Sequence, residues 1–340
     1  MTTKMREEIN EIPAAAARLL DSSKSVISDA ANALREKDPA IVVTIARGSS
    51  DHAAYFLKYA IELQMGLPVA SLGPSLASIY EVPMKLGSAA AFAVSQSGAS
   101  PDIVAMAKGA RDGGATTISL VNTLPSPLAD AATFALDIKA GPEIAVAATK
   151  SFVNSIVAGL AILAGWSRDV ALTRAVEALP EHFEQALALD WTALLEPLKS
   201  ADSLYMLGRG PTLAIAAEAA LKCKETCELH AEAYSSAEVL HGPVSIVGRN
   251  FPVVAFAARD KAEASIAGTV SKLAASNATC FITSDQATAG HKLPIIATGH
   301  PITDALALIV PYYGFIESLS RARGFNPDKP VALKKVTETQ

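Results

Sequence analysis

Three landmarks occur twice along this chain, in the same order and about 160 residues apart. The segment ending in Thr44-Ile45-Ala46-Arg47-Gly48 is echoed by Tyr205-Met206-Leu207-Gly208-Arg209-Gly210, each an apolar run leading into an Arg-Gly turn and then an Ala-rich stretch. Tyr80-Glu81-Val82-Pro83, Leu86-Gly87 and Ala91-Phe92-Ala93-Val94 correspond to Leu240-His241-Gly242-Pro243, Val247-Gly248 and Val253-Val254-Ala255-Phe256. A nearly constant offset over three landmarks means two copies of one domain, and 340 residues hold two of ordinary size.

Within the first copy, Ile41–Ile45, Ala89–Val94, Ala115–Leu120 and Thr133–Ile138 are short apolar runs separated by helical stretches. Continuous rather than alternating apolar strands imply a sheet covered on both faces, so the fold class is α/β with a parallel sheet. Ahead of it, Thr3–Glu36 carries Ile9, Ile12, Leu19, Leu20, Val26 and Ile27 at roughly helical spacing and reads as an amphipathic helical arm. The expected division is an arm at 1–36, a first domain at 37–170, a second at 200–325 and a tail at 326–340. A helical stretch from Leu160 to Leu198, containing Pro180 and Pro197, joins the copies.

Composition narrows the function classes. Lys+Arg number 29 and Asp+Glu 34, a net charge of −5, which provides no basic footprint for a nucleic-acid backbone. The longest apolar run, Ile156–Trp166, is about half of the roughly 20 residues a membrane span needs and reads as a buried helix. The opening MTTKMREEINEI interleaves acids and bases where a secretory signal would be apolar, so a cytoplasmic location is expected. Cys223, Cys227 and Cys280 fit neither a disulfide framework nor a zinc site and read as small core residues; the six histidines show no metal-ligand spacing.

The copies differ after their third landmark. The first reads Ser95-Gln96-Ser97-Gly98-Ala99-Ser100-Pro101-Asp102, the second Ala257-Ala258-Arg259-Asp260. Ser100 suits a helix N-cap, Pro101 the first helical position, and Gly113-Gly114 the end of that helix. Read alone, the stretch is also an ordinary Ser/Gly turn. With the asymmetry between copies it is a candidate phosphate loop, in which helix N–H groups, hydroxyls and an amide surround an anion. Neither GxxxxGK[ST] nor GxGxxG is present, which favours a compact phosphomonoester over a nucleotide.

SQSG followed by Ser100-Pro101-Asp102, Gly141-Pro142-Glu143-Ile144-Ala145-Val146-Ala147-Ala148-Thr149-Lys150, Ala220-Leu221-Lys222-Cys223-Lys224-Glu225, His230-Ala231-Glu232-Ala233-Tyr234 and Leu240-His241-Gly242-Pro243 together resemble the double sugar isomerase (SIS) domain family. Within it the chain resembles the isomerase half of glucosamine-6-phosphate synthase and the free-standing glucosamine-6-phosphate deaminases. The resemblance implies two tandem α/β/α sandwiches with flavodoxin-like, mostly parallel sheets. It implies sugar-phosphate contacts at Ser49, Ser50, Ser95, Gln96, Ser97, Ser100, Val146 and Ala148. It also implies Glu225 as the carbon base with Lys222 beside it, His241 as the ring-opening group supplied by the neighbouring subunit of a homodimer, and Lys335 as a Schiff-base amine in the tail Asp328-Lys329-Pro330, Leu333-Lys334-Lys335. Read from spacing alone, Lys222 and Glu225 are an ordinary i, i+3 helix pair. The chain departs from the synthase at Ala148, where a hydroxyl is usual, and at Val331, where an Arg is usual. Thr2 stands where the synthase's glutaminase domain begins with cysteine, so this chain by itself is not expected to take ammonia from glutamine.

The implied chemistry is aldose–ketose proton transfer without metal or organic cofactor. An aldose 2-amine isomerised in this way becomes an imine at C2, which water hydrolyses. The expected reaction is glucosamine 6-phosphate and water to fructose 6-phosphate and ammonia. The alternatives are a phosphosugar isomerase or an aminotransferase-type isomerase domain lacking the glutaminase, such as a galactosamine-6-phosphate deaminase or sugar-amine deglycase, and a non-catalytic sugar-phosphate-binding regulator.

Overall fold

The computed structural model describes residues 2–330, 333 and 335, and divides into two compact units. One, the amino-terminal unit, contains Ala14–Glu143 and Lys150–Glu177; the other, the carboxy-terminal unit, contains residues 2–13, Ile144–Thr149 and residues 178–330 with Lys335. The second is therefore assembled from three separate stretches of chain.

The lead-in arm is three helices rather than one: α1 (Lys4–Asn10), α2 (Ile12–Ser22) and α3 (Lys24–Lys37). Pro13 lacks the N–H that would continue α1 and suits the start of a helix instead. Ser23, at φ −109° and ψ 12°, leaves helical geometry between α2 and α3. The amino-terminal unit follows with β1 (Ile41–Ile45), α4 (Gly48–Met65), β2 (Val69–Ser71), α5 (Ser75–Ser78), β3 (Ala89–Ser95), α6 (Pro101–Asp112), β4 (Thr116–Val121), α7 (Pro127–Ala131), β5 (Phe134–Asp137), α8 (Lys150–Ser167) and α9 (Val170–Glu177). Its five strands are all parallel in the order β2-β1-β3-β4-β5. Every residue of β3, including Ala89, Ala90, Ala91 and Ala93, is buried, as a central strand covered on both faces requires. Val43, Ile45, Ala91 and Ala93 pack with Ile103, Met106 and Ala107 of α6 to form the core on one side.

The carboxy-terminal unit contains α10 (Leu179–Leu187), α11 (Leu195–Lys199), β6 (Ser203–Gly208), α12 (Pro211–Cys227), β7 (His230–Ser235), β8 (Pro252–Ala255), α13 (Glu263–Ala275), β9 (Thr279–Ile282), β10 (His291–Lys292), α14 (Pro301–Ala307) and α15 (Ile309–Ala322). Its strands are also all parallel, in the order β10-β9-β8-β6-β7. Counted from its own first strand, this is the same 2-1-3-4-5 order, so the repeat in the sequence is a repeat of topology. Arg323, just past α15, donates to the carbonyls of Leu198, Lys199 and Ala201 at 3.0 Å each and of Cys227 at 3.2 Å. One guanidinium thus satisfies carbonyls where α11 and α12 end.

Two helical stretches, Lys150–Ser167 and Pro301–Ala322, are long and apolar enough to cross a membrane, but 83% and 89% of each is buried within the protein. They are core elements, as the apolar run Ile156–Trp166 suggested. All three cysteines are free and buried. Burial pushes the Cys223 thiol up to about 12 and that of Cys227 up to about 11, so both are packing groups rather than nucleophiles.

At the end of β6, Gly208 makes the turn into α12 possible: a side-chain carbon there would run into the backbone carbonyl of Thr212 and lie 2.6 Å from the Leu213 nitrogen. Gly208→Ala is therefore expected to cost about 1 to 3 kcal/mol, the range for forced overpacking, read as a lower midpoint in urea unfolding.

Candidate active site

In both sheets the strand order reverses between the first and third strands, where connections leave to opposite faces and a crevice opens at the strands' carboxyl ends. In the amino-terminal unit the segments at that point are the turn after β1 and the loop after β3. Ser49 and Ser50 lie in the first turn of α4, directly after β1, and both are half-buried. Ser95, the last residue of β3, is buried, and Gln96, Ser97 and Ser100 are half-buried in the loop leading to α6.

Internal bonds shape this loop. Gly98 N–H donates to Ser95 Oγ at 3.1 Å, Ala99 N–H to Ser97 Oγ at 3.3 Å, and Leu128 N–H to the Gly98 carbonyl at 3.0 Å. Gly98 has φ +64°, and a side-chain carbon there would collide with Ser126, whose Cβ would be 2.8 Å away. Ser100 occupies the N-cap position of α6 with its hydroxyl uncommitted to capping. Arg47 is more than a turn residue: its Nε and Nη2 donate to Asp102 Oδ2 at 3.0 and 2.8 Å, and that carboxylate is fully buried. The pair fastens the β1 turn to the start of α6, so the two serine-bearing segments are held side by side on adjacent strands.

The equivalent place in the carboxy-terminal unit is filled by protein groups. Arg259, after β8, pairs through Nε and Nη2 with Asp304 at 3.2 Å each and donates to the Ile296 carbonyl at 2.7 Å. Asp260 accepts from Ala262 N–H, and Glu263, in the first turn of α13, accepts from Ser284 and Gln286. Carboxylates thus occupy the helix start that could otherwise attract an anion. Arg209 donates to Ser265 Oγ at 2.7 Å, bracing the β6 turn against α13.

The acid–base candidates are on α12. Lys222 is fully buried and sits between two carboxylates on the same helix face, 3.2 Å from Glu218 Oε1 and hydrogen-bonded to Glu225 Oε2. Glu218 is fully buried and accepts from Tyr313 OH at 3.1 Å; the Glu225 side chain is 20% exposed. The row therefore runs from a buried carboxylate through a buried ammonium to one that reaches solvent. Burial alone favours a neutral amine at Lys222, but the two carboxylates outweigh it and hold its pKa above the usual 10.5. Lys222 is thus a permanent cation at neutral pH, suited to orienting Glu225. Spacing predicted the Lys222–Glu225 pair; Glu218 and Tyr313 were missed. The i, i+4, i+7 pattern of Glu218, Lys222 and Glu225 was a signal that could have found Glu218.

His241 is exposed at the end of a short 3₁₀ turn, Glu238–His241. Gly242 follows with φ 145°, and Tyr205 OH holds the Pro243 carbonyl at 3.1 Å. Val146 and Ala148 are half-buried in the non-regular segment Ile144–Thr149, which belongs to the carboxy-terminal unit. Lys335 reaches that segment: its Nζ donates to the Ala145 carbonyl at 2.6 Å. Val331 and Lys334 lie outside the described residues. The structure thus gathers the predicted residues into groups: the two serine segments, the Lys222–Glu225 pair with Glu218, and Lys335 with the Val146–Ala148 strip.

A family model described as the SIS domain matches residues 33–164 and again 197–301. A Silicibacter pomeroyi protein to which a phosphosugar isomerase activity has been attributed is 51% identical, with a TM-score of 0.93, covering 96% of this chain and 100% of that one. The C-terminal domain of glucosamine-fructose-6-phosphate aminotransferase from Francisella tularensis has the same fold, with a TM-score of 0.85 at 24% identity, covering 97% of this chain and 99% of that one. The isomerizing glutamine–fructose-6-phosphate aminotransferase of Sulfurisphaera tokodaii is 36% identical over 253 residues, 74% of this chain and 42% of that protein. The chain spans about half the length of the curated relatives it matches.

Removing the cation from the α12 row leaves two neighbouring carboxylates, one of them fully buried. Lys222→Met is expected to cost about 3 to 5 kcal/mol, the range for breaking a buried ion pair. The raised pKa of Lys222 means that its own contribution is complete below pH 10.5 and declines as pH rises beyond it. Urea unfolding of both proteins across pH checks the size of the loss and the sign of its pH dependence.

Proposed function

Because the chain belongs to the SIS domain family, we propose that it is a phosphosugar-converting enzyme whose reaction is the deaminating isomerisation of D-glucosamine 6-phosphate to D-fructose 6-phosphate and ammonia. The observation that carries this reading is the α12 row: Glu225, partly exposed, is held by a buried, permanently charged Lys222 that Glu218 anchors from behind. A module that only binds sugar phosphate needs the serine loop but has no use for such a base. The activities named for the relatives, phosphosugar isomerisation and isomerising amination of fructose 6-phosphate, require proton transfer between C1 and C2.

In this reading the loop Ser95–Ser100, with Ser49 and Ser50, holds the phosphate through hydroxyls and helix N–H groups. His241 opens the ring by moving a proton between O1 and O5. Its exposure supports its acting from the neighbouring subunit of a homodimer. Glu225 then removes the C2 proton of the open-chain 2-amino aldose, and the electron pair forms the C1–C2 enaminol. Returning the proton to C1 produces a C2 imine; water adds to C2, the C–N bond breaks, and ammonia leaves a C2 ketone. Lys222 keeps Glu225 oriented through both transfers, and Lys335, beside Val146 and Ala148, is the amine available to a ketose carbonyl.

Purified protein supplied with glucosamine 6-phosphate should release ammonia and fructose 6-phosphate in equal amounts. Glu225→Gln should lower kcat by roughly a thousandfold or more with KM little changed, as for loss of a general base. Ser97→Ala should instead raise KM. Release from galactosamine 6-phosphate alone would move the substrate to that epimer, and saturable hexose 6-phosphate binding with no turnover would favour the regulator.

A further inference from the structure

The strip Ile144–Thr149 carries Val146 and Ala148 yet belongs to no helix or strand, so no ladder of main-chain bonds fixes its position. Residues far away in the chain do so instead. Glu8, on α1 and only 3% exposed, accepts from the N–H of Ile144 and, at 3.3 Å to each carboxylate oxygen, from that of Ala145. The next amide, Val146 N–H, donates to the Asp328 carbonyl at 3.3 Å, and the Ala145 carbonyl accepts from Lys335. Asp328 in turn caps α1, its Oδ2 accepting from Lys4 N–H at 2.9 Å and its Oδ1 from Met5 N–H at 2.8 Å. Helix α1 is itself anchored to α15: Arg6 pairs with Glu317 through Nε at 3.1 Å and Nη2 at 2.6 Å, and Thr3 Oγ1 donates to Glu317 at 2.8 Å.

We infer that Glu8 is a positioning residue: it sets the strip against which Lys335 and the sugar are aligned. A buried carboxylate accepting consecutive main-chain N–H groups defines both the height and the tilt of a strip, and it does so rigidly because the bonds are charge-assisted. Asp328 completes the clasp by tying the strip and the start of α1 to the same residue. The inference rests on the reading of Val146, Ala148 and Lys335 as sugar contacts, while its structural half, that Glu8 fixes the strip, stands apart from that reading.

The test compares the full-length chain with Glu8→Ala and Glu8→Gln, by hydrogen exchange and by steady-state kinetics on glucosamine 6-phosphate. In Glu8→Ala the amides of Ile144 and Ala145 should exchange on the order of tenfold faster or more, while those of β3 and β6 keep their protection. The value of kcat/KM should fall by roughly tenfold or more, mainly through KM, and Glu8→Gln, which retains an acceptor at the same place, should recover most of the loss. Wild-type exchange at Ile144 and Ala145, or an unchanged KM, would overturn the inference; so would protection lost equally in β3 and β6, the mark of general destabilisation. Should Glu8→Ala not fold, Glu8→Gln alone decides through a smaller shift in the same two amides and in KM. Failure of the wild-type chain to turn over any hexosamine 6-phosphate would count against the proposed reaction, and exchange with the Kd for fructose 6-phosphate would then decide the role of Glu8.

Discussion

A parallel sheet cannot turn back on itself, so each strand must be followed by a crossover, and in the order 2-1-3-4-5 the crossovers after the first and third strands leave on opposite faces. The loops that begin them diverge, and the gap between them is lined by main-chain ends with N–H groups still to satisfy. Everything of chemical interest in the amino-terminal unit follows from that: β1 delivers Ser49 and Ser50, β3 delivers Ser95 to Ser100, and Arg47 and Asp102 keep the two segments from separating. Small residues in β3 are part of the same constraint, since a central strand of Ala89, Ala90, Ala91 and Ala93 lets helices close on both faces.

The carboxy-terminal unit has the same topology with a different result. Its crevice holds Arg259 paired with Asp304, and its α13 begins among Asp260 and Glu263, so the place proposed to take a phosphate in one copy holds the protein's own charges in the other. What this unit contributes instead is a helix face, with Glu218, Lys222 and Glu225 in one row. The two units share one strand order, and different side chains stand at their equivalent loops.

The repeat, the parallel sheets, the serine loop and its helix were legible in the sequence because each is written in local signals: apolar runs, Gly and Pro punctuation, and a cap position. The arm was misjudged as one helix because its apolar spacing carries through Pro13 and Ser23, where backbone geometry does not. Arg47 looked like a turn residue because its partner lies 55 positions away and no periodicity links the two. Glu218 was hidden among the alanines of α12, and the ownership of Ile144–Thr149 by the carboxy-terminal unit depends on bonds to Glu8 and Asp328 that leave no pattern in the chain. Local rules read elements; long-range polar pairs, made one at a time, escape them.

The anchoring of α1 also has a temporal side. Arg6 finds Glu317 and Met5 finds Asp328 across separations of 311 and 323 residues, so α1 reaches its place only after the chain through Asp328 has been made. At about 5 to 20 residues per second, α1 waits on the order of 15 to 60 s for its partners, while the amino-terminal sheet it precedes can already close. During that interval Met5 and Ile9, fully buried in the finished protein, wait for α15, the helix to which α1 is anchored.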